Sequence, residues 1–278
     1  MTQRARPTGC IPGLAVLLSF GLLGVLAPVL FPPNDVGPLG APGRPMQPPS
    51  PRFPLGTDSF GRSMLAVTIW GARGSLPVGL LAAAVSVSIG VLVGLVAGHC
   101  AGWAGAVLMH VTDWFLVLPT LVLASVLASV LQPGVGTVVL AIGVTAWPST
   151  ARMVRAQTLT VQARPYFERA QALGAGHWRL MGRHVLPNIL PVVLAQAPLS
   201  LSGAILAEAT LAFLGQSDPT KISWGTALQL AHQAGAVSAG AWWMLLPPGA
   251  AIVAVTVASA GCGRALETVA DPHRAVRP

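Results

Sequence analysis

Six long apolar runs fill most of the chain, and short polar or proline-rich stretches separate them. A run of about 20 apolar residues is long enough for a helix to cross a bilayer. The predicted spans are residues 11–31, 76–97, 107–131, 135–151, 189–214 and 242–261. This pattern predicts an all-α polytopic membrane protein with about six transmembrane helices.

The first run has two interpretations. A signal peptide also contains an apolar region after a basic head, but that region usually has about 7–15 residues. The longer run over residues 11–31 favours a retained span. The stretch that follows, residues 32–56, is rich in proline and glycine, so it predicts a surface loop instead of a helix or a central strand.

A charged island over residues 152–187 interrupts the apolar pattern. At its middle, Pro165 can begin a short helix and Gly174 and Gly176 can end it. Helical spacing gathers four apolar side chains on one side of this helix: Tyr166, Phe167, Ala170 and Leu173. A helix of about ten residues is marginal alone in water. We therefore expect the lipid surface, the rest of the chain or another protein to cover that side.

The composition supports a membrane protein and excludes several other classes. Hydrophobic residues make up 53% of the 278 residues and charged residues only 9%, well below the roughly 25% of soluble domains. The net charge of +8 is scattered between apolar runs, which argues against nucleic-acid binding. The three cysteines are isolated and predict neither disulfides nor a zinc site.

The distribution of basic residues predicts the orientation. Six spans with a cytoplasmic N-terminus place eleven basic residues inside and five outside, which agrees with the positive-inside rule. We divide the chain into an N-terminal span with an extracytoplasmic loop (1–71), a transmembrane domain (72–270) with its charged loop (152–187), and a cytoplasmic tail (271–278).

No catalytic motif is present in the sequence. The chain has one lysine, Lys221, and it lacks the glycine-lysine pattern of a phosphate-binding loop. His110 and Asp113 lie one helical turn apart and could hold a proton or a metal, although a polar pair at a helix end is the simpler interpretation. Glu208 lies inside the fifth predicted span, where it either lines a pathway or makes a buried structural hydrogen bond.

Several motifs resemble the inner-membrane permease subunits of ABC importers, in the dipeptide, oligopeptide and nickel branch and of the dipeptide permease C type. The signature E-A-A, three residues, G, nine residues, I-x-L-P is matched by Glu168, Ala170, Gly174, Leu186 and Pro187. Arg169 and His184 depart from that signature, although H-x-L-P-N is common in the peptide branch. Further similar stretches occur in the same order as in the branch: GTDSFGR (56–62), WP (147–148), AILAEA (204–209), FLG (213–215) and SWG (223–225).

This resemblance implies a type I permease whose short helix is a coupling helix seated on a separate ATPase. The ATPase-coupling residues would be Tyr166, Phe167, Glu168, Ala170, Leu173, Gly174, Leu186 and Pro187. Glu208 would line the pathway, and Asp218 and Trp224 would face a substrate-binding protein. The chain itself would be no enzyme and hold no metal or cofactor, because two partner ATPases would bind ATP and magnesium. A second, different permease would complete the assembly in the bacterial inner membrane.

Two other classes remain as alternatives. An ATP-independent secondary transporter should show internal repeats and broken helices at the midplane. An intramembrane hydrolase should show a nucleophile and a base on facing spans. The sequence does not distinguish peptides from nickel chelates or other metallophores as the cargo.

Overall fold

Eleven α-helices make up most of the computed structural model, which describes residues 10–37, 40–100 and 102–270. Within these residues no strand forms, apart from one isolated bridge between Thr57 and Ser63. The helices are α1 (Cys10–Leu30), α2 (Met64–His99), α3 (Trp103–Val117), α4 (Thr120–Val130), α5 (Val135–Ala146), α6 (Pro148–Gln162), α7 (Pro165–Ala172), α8 (His177–Leu180), α9 (Leu186–Phe213), α10 (Trp224–Gln233) and α11 (Leu246–Ala270). The predicted tail lies outside the described residues.

The prediction of about six spans is confirmed at the level of hydropathy. Four described helical stretches are each long and apolar enough to cross a membrane: Cys10–Leu30, Met64–His99, His177–Phe213 and Trp242–Glu267. Two bent pairs, α3 with α4 and α5 with α6, bring the number to six if each pair is one span. The fold class is therefore an all-α membrane bundle.

The third predicted span, residues 107–131, is not one straight helix. It breaks by 90° between α3 and α4. Leu118 is extended, with ψ at 134°, because a following proline disfavours helical geometry in the residue before it. Pro119 also lacks the N–H that a continuous helix would need.

Helices extend into the charged island (residues 152–187) from both sides. The α5–α6 pair bends by 43° at Trp147 and continues as helix to Gln162, well past the predicted end at residue 151. The next span begins at His177, not at residue 189, and passes through a π-helical turn over Met181–Val185. In that turn Leu186 N–H bonds to Met181 O, five residues back, so Pro187 enters the helix where the normal bonding pattern is already interrupted. Only residues 163–176, hereafter the coupling segment, connect the two spans.

Helix α2 is the central element, and it packs along α1, α5, α6 and α9. Its contact with α6 is close because three glycines, Gly90, Gly94 and Gly98, face α6 at four-residue spacing. A Cβ atom on Gly94 would lie 2.5 Å from Ala151 O and 2.7 Å from the Cβ of Val154. Small residues at such spacing let two membrane helices approach until their backbones touch.

The GTDSFGR stretch (56–62) before α2 is held together by local hydrogen bonds. Asp58 accepts hydrogen bonds from the N–H groups of Phe60 and Arg62, and its other oxygen lies 2.6 Å from Arg62 Nε. Both members of this ion pair are buried. Gly61 adopts a φ of +85°, which few other residues tolerate. The motif therefore forms a closed turn just before the start of α2.

Candidate functional site: the coupling segment and the opposite chamber

The two ends of the bundle differ in chemistry. One end, hereafter the coupling end, carries α7, α8 and the last turn of α2. The opposite end carries the loop before α2, the start of α2 and helix α10. The residues predicted to be functional divide between these ends.

Helix α7 begins and ends as predicted. Pro165 occupies its first turn and Glu168 lies close behind, where a carboxylate interacts favourably with the helix N-terminus. After Ala172, Gly174 adopts a φ of +80°, so the chain leaves the helix by a sharp turn that a side chain would strain. Apart from its chain neighbours, no described residue lies within 4 Å of a Cβ on Gly174, so this position is open.

The four apolar residues predicted for one side of α7 differ in burial. Phe167 is only 4% exposed and packs in a core cluster with Leu95, Val154 and Leu180, and Ala170 packs against the same cluster. Leu173 is 88% exposed and Tyr166 is also exposed. One part of the apolar surface of α7 is therefore buried against its own chain, and another part is exposed.

The sequence reasoning missed Trp178, which is 82% exposed in α8. It lies two residues beyond Gly176, so one short stretch of the chain carries three exposed apolar side chains, Tyr166, Leu173 and Trp178, hereafter together the bare edge. Four arginines in the same stretch and its flanks are also exposed: Arg164, Arg169, Arg179 and Arg183. A tryptophan beside arginines in a connecting loop is a signal that sequence inspection alone could have found.

At the opposite end, Trp224 does not face outward, so that interpretation is wrong. Its side chain is fully buried, and its indole Nε1 donates to Thr68 O on α2 at 2.8 Å. A Cβ on Gly71 would lie 2.4 Å from the indole ring, so the glycine is what makes room for it. Trp224 therefore locks α10 against α2.

Glu208 on α9 is buried and also lies in a cavity wall. It is 1% exposed, and the side chains of Ser75 and Ser223 lie within hydrogen-bonding reach of its carboxyl. Its Oε2 atom has no hydrogen-bond partner among the described residues. The residue also lies in the wall of a cavity of about 800 Å³, hereafter the chamber, together with Arg73 and Lys221.

A smaller cavity of about 330 Å³ lies farther along the same helices. It is lined by residues of α2, α4, α5, α6 and α9, and several carry hydroxyl or amide groups: Ser86, Thr120, Thr145, Ser149, Gln196 and Ser200. The chamber and this cavity share α2, α5 and α9 as walls.

Asp218 lies in the loop between α9 and α10. Its carboxylate accepts hydrogen bonds from the Thr220 hydroxyl at 2.6 Å and from the Thr220 N–H at 2.9 Å. These bonds, the hydroxyl bond first, hold the pKa of Asp218 below its ordinary value, because they favour the charged form. Asp218 is therefore an ionised turn residue near the rim of the chamber.

The two weaker predictions for metal chemistry do not combine into a site. Asp113 forms a salt bridge with Arg152 at 2.6 Å, whereas His110 is exposed on α3. Among the described residues no three His, Cys, Asp or Glu side chains cluster as metal ligands.

A sequence model of the family described as "Binding-protein-dependent transport system inner membrane component" matches residues 90–273. That range is more than half of the chain and includes helices α3–α10, the coupling segment and Glu208. The chain belongs to this family. It is a multi-pass inner-membrane permease component, and the type of fold expected from the motifs is confirmed.

Curated relatives of this permease agree with that assignment. It is 36% identical over 222 residues to the di/tripeptide transport system permease protein DppC of Pseudomonas aeruginosa, covering 80% of this chain and 72% of that protein. It is 35% identical to a putative peptide transport system permease protein of Brucella suis, covering 94% and 86%. A probable peptide ABC transporter permease protein of Sinorhizobium fredii is 42% identical over 181 residues, covering 65% and 62%.

Proposed function

We propose that this permease subunit carries peptides inward in an ATP-driven importer, and that its coupling segment docks on a separate ATPase subunit. A second, different permease, two ATPases and a substrate-binding protein complete the assembly. The observation that carries the proposal is the split surface of α7. One face is anchored by Phe167, while Tyr166, Leu173 and Trp178 remain bare.

The surroundings of the bare edge indicate a protein partner. Leucine and tryptophan side chains exposed to this degree gain free energy when something covers them, at about 25 cal/mol for each Å² of apolar surface removed from water. The nearby arginines oppose burial in the hydrocarbon interior of a bilayer, where a charged side chain is costly. A protein with an apolar groove and an acidic rim satisfies both requirements.

The distribution of basic residues supports a cytoplasmic location for the coupling end. The coupling segment and its flanks carry arginines on both sides of α7, whereas the opposite end carries fewer basic residues. This orientation places both termini in the cytoplasm and the chamber on the outer side. The ATPases then meet the coupling segment, and the substrate-binding protein meets the rim near Asp218.

ATP and magnesium belong to the partners in this proposal. The single lysine of the chain, Lys221, is a chamber residue at the opposite end and follows no glycine-rich loop. The energy of hydrolysis must therefore reach the spans through contacts at the coupling end. The sharp turn at Gly174 and the anchored Phe167 make α7 a compact body that can pass on such movement.

The relatives support peptides as the cargo, since two of the similar proteins are named as peptide permeases and a third as a di/tripeptide permease. The chamber, with basic groups at its rim and the carboxyl of Glu208 in its wall, offers contacts to both charged ends of a short peptide. Nickel chelates and other metallophores are the competing cargo. Mass spectrometry of the ligand that co-purifies with the partner binding protein decides between them.

Co-purification of the assembly from membranes tests the docking proposal. Replacing Leu173 by glutamate places a charge on the bare edge, and we expect the ATPase subunits to be lost from the purified complex. The matched control is Val237→Glu, which changes another apolar residue that is largely exposed, at the opposite end. Retention of the ATPases by the Leu173 variant would contradict docking at this edge.

Measurement of uptake into proteoliposomes distinguishes an ATP-driven importer from a secondary transporter and from an intramembrane hydrolase. An importer subunit requires ATP and the binding protein, whereas a secondary transporter uses an ion gradient and a hydrolase moves no cargo. Uptake that persists without ATP would overturn the proposed function.

A further inference from the structure

We propose that His99 is a positioning residue that links both ends of the coupling segment to helix α2, so that movement of α7 reaches the chamber directly. This inference rests on the proposed docking of an ATPase at the coupling segment. The link through His99 gives the movement of α7 a second route into the bundle. Along the chain, the coupling segment is joined only to α6 and, through α8, to α9.

The geometry places one imidazole between both ends of the segment. Gln162 ends α6, and its Nε2 lies 2.8 Å from Nδ1 of His99. His177 begins α8, and its Nδ1 lies 2.9 Å from Nε2 of His99. His99 is the last residue of α2. We call these three residues the histidine latch.

The hydrogen-bonding roles in the latch follow from the atoms involved. The amide nitrogen of Gln162 is a donor, so Nδ1 of His99 must accept. Nε2 of His99 then carries a proton and donates it to Nδ1 of His177. The side chain at position 99 must therefore accept on one side and donate on the other, which an imidazole does in its neutral form.

The middle of the segment is tied to the same point. The ring of Phe167 meets the imidazole of His99 edge to face, with centroids 6.3 Å apart. Phe167 also packs with Leu95, one turn earlier on α2. The segment thus has three connections to the end of α2: one before α7, one within it and one after it.

Helix α2 leads from the latch to the chamber. It is one helix of 36 residues, about 54 Å long at 1.5 Å per residue. Its far end supplies Arg73 to the chamber and Ser75 to the carboxyl of Glu208. A shift of α2 at His99 therefore moves groups that contact Glu208, without passing through the bends in the α3–α4 and α5–α6 pairs.

The test compares ATP hydrolysis and peptide uptake by the complete importer in proteoliposomes. His177 is exposed, so His177→Leu removes one latch bond with little risk to the fold. His99→Leu removes both polar bonds. We expect ATP hydrolysis to continue in both variants, while peptide carried per ATP falls on the order of tenfold, the size of a typical coupling between sites.

Rescue by a conservative substitution distinguishes a positioning role of the His99 side chain from a role in packing alone. A glutamine at position 99 can accept from Gln162 through its oxygen and donate to His177 through its nitrogen, so His99→Gln should restore most of the ratio. The double variant of His99→Leu with His177→Leu should be no worse than His99→Leu alone, because both act through one latch. The control is His110→Leu, which removes an exposed histidine on α3 outside the latch and should keep the wild-type ratio.

The outcomes separate this inference from the proposed function. Absence of ATP-dependent uptake by the wild-type complex would overturn both. Normal uptake per ATP in the His177→Leu and His99→Leu variants would overturn the latch alone. Equal losses of hydrolysis and uptake, without rescue by His99→Gln, would show that His99 only supports the fold and would also overturn it.

Discussion

Replacement of Gly94 by alanine tests how closely α2 and α6 must pack. The new Cβ would lie 2.5 Å from Ala151 O and 2.7 Å from the Cβ of Val154. Carbon atoms in contact prefer about 3.5–4.0 Å, so the helices must separate locally by about 1 Å. The obstacles are a backbone oxygen and a branched side chain, neither of which can rotate away.

Two effects of opposite sign determine how much Gly94→Ala changes the free energy of unfolding. Overpacking of a close contact costs about 1–3 kcal/mol. Alanine recovers up to about 1 kcal/mol through its higher helix propensity. We therefore expect a net loss of about 0–2 kcal/mol, centred on about 1 kcal/mol, which corresponds to about 2–4 °C in Tm for a chain of this size. Gly94→Leu should prevent stable assembly.

Thermal unfolding of the purified complex in detergent provides the assay. Gly21→Ala is the matched control, because Gly21 lies within helix α1 and nothing lies within 4 Å of its Cβ position. That variant should keep or slightly raise the Tm. If Gly94→Ala is as stable as Gly21→Ala, the close contact between α2 and α6 is refuted.

Four further substitutions address other parts of the molecule. Asp58→Ala leaves Arg62 buried without its carboxylate, so we expect a loss of about 3–5 kcal/mol, measured by thermal unfolding; an unchanged Tm would contradict the buried pair. Phe167→Ala should cost about 3–5 kcal/mol and loosen α7, whereas Tyr166→Ala should leave Tm nearly unchanged and weaken ATPase retention; equal Tm losses would refute the split surface. Glu208→Gln keeps an acceptor for the nearby serines, so assembly should persist while uptake falls, and unchanged uptake would exclude a lining role.

The apolar runs were enough to predict the spans, because hydropathy reports burial in lipid directly. They could not predict where helices end once the chain leaves the apolar region. Helix α6 continues to Gln162 with a polar sequence, and the next span begins at His177. Both extensions depend on packing against the end of α2 and not on the hydropathy of the residues themselves.

The contacts of individual site residues depend on positions far apart in the chain. Trp224 was expected at the surface, but Gly71 on α2 provides the space that buries it. His99 and His177 meet although 78 positions separate them. A single sequence contains no signal for such pairs, whereas the helix start at Pro165 and the turn at Gly174 follow from local chemistry and were predictable.

Photocrosslinking from Leu173 tests the central claim most directly. A photoreactive amino acid at this position in native membranes should yield an adduct with an ATPase subunit, because Leu173 lies on the bare edge of the coupling segment. The same probe at Val237, at the opposite end, should yield no such adduct. An ATPase adduct from Val237 but none from Leu173 would contradict the account.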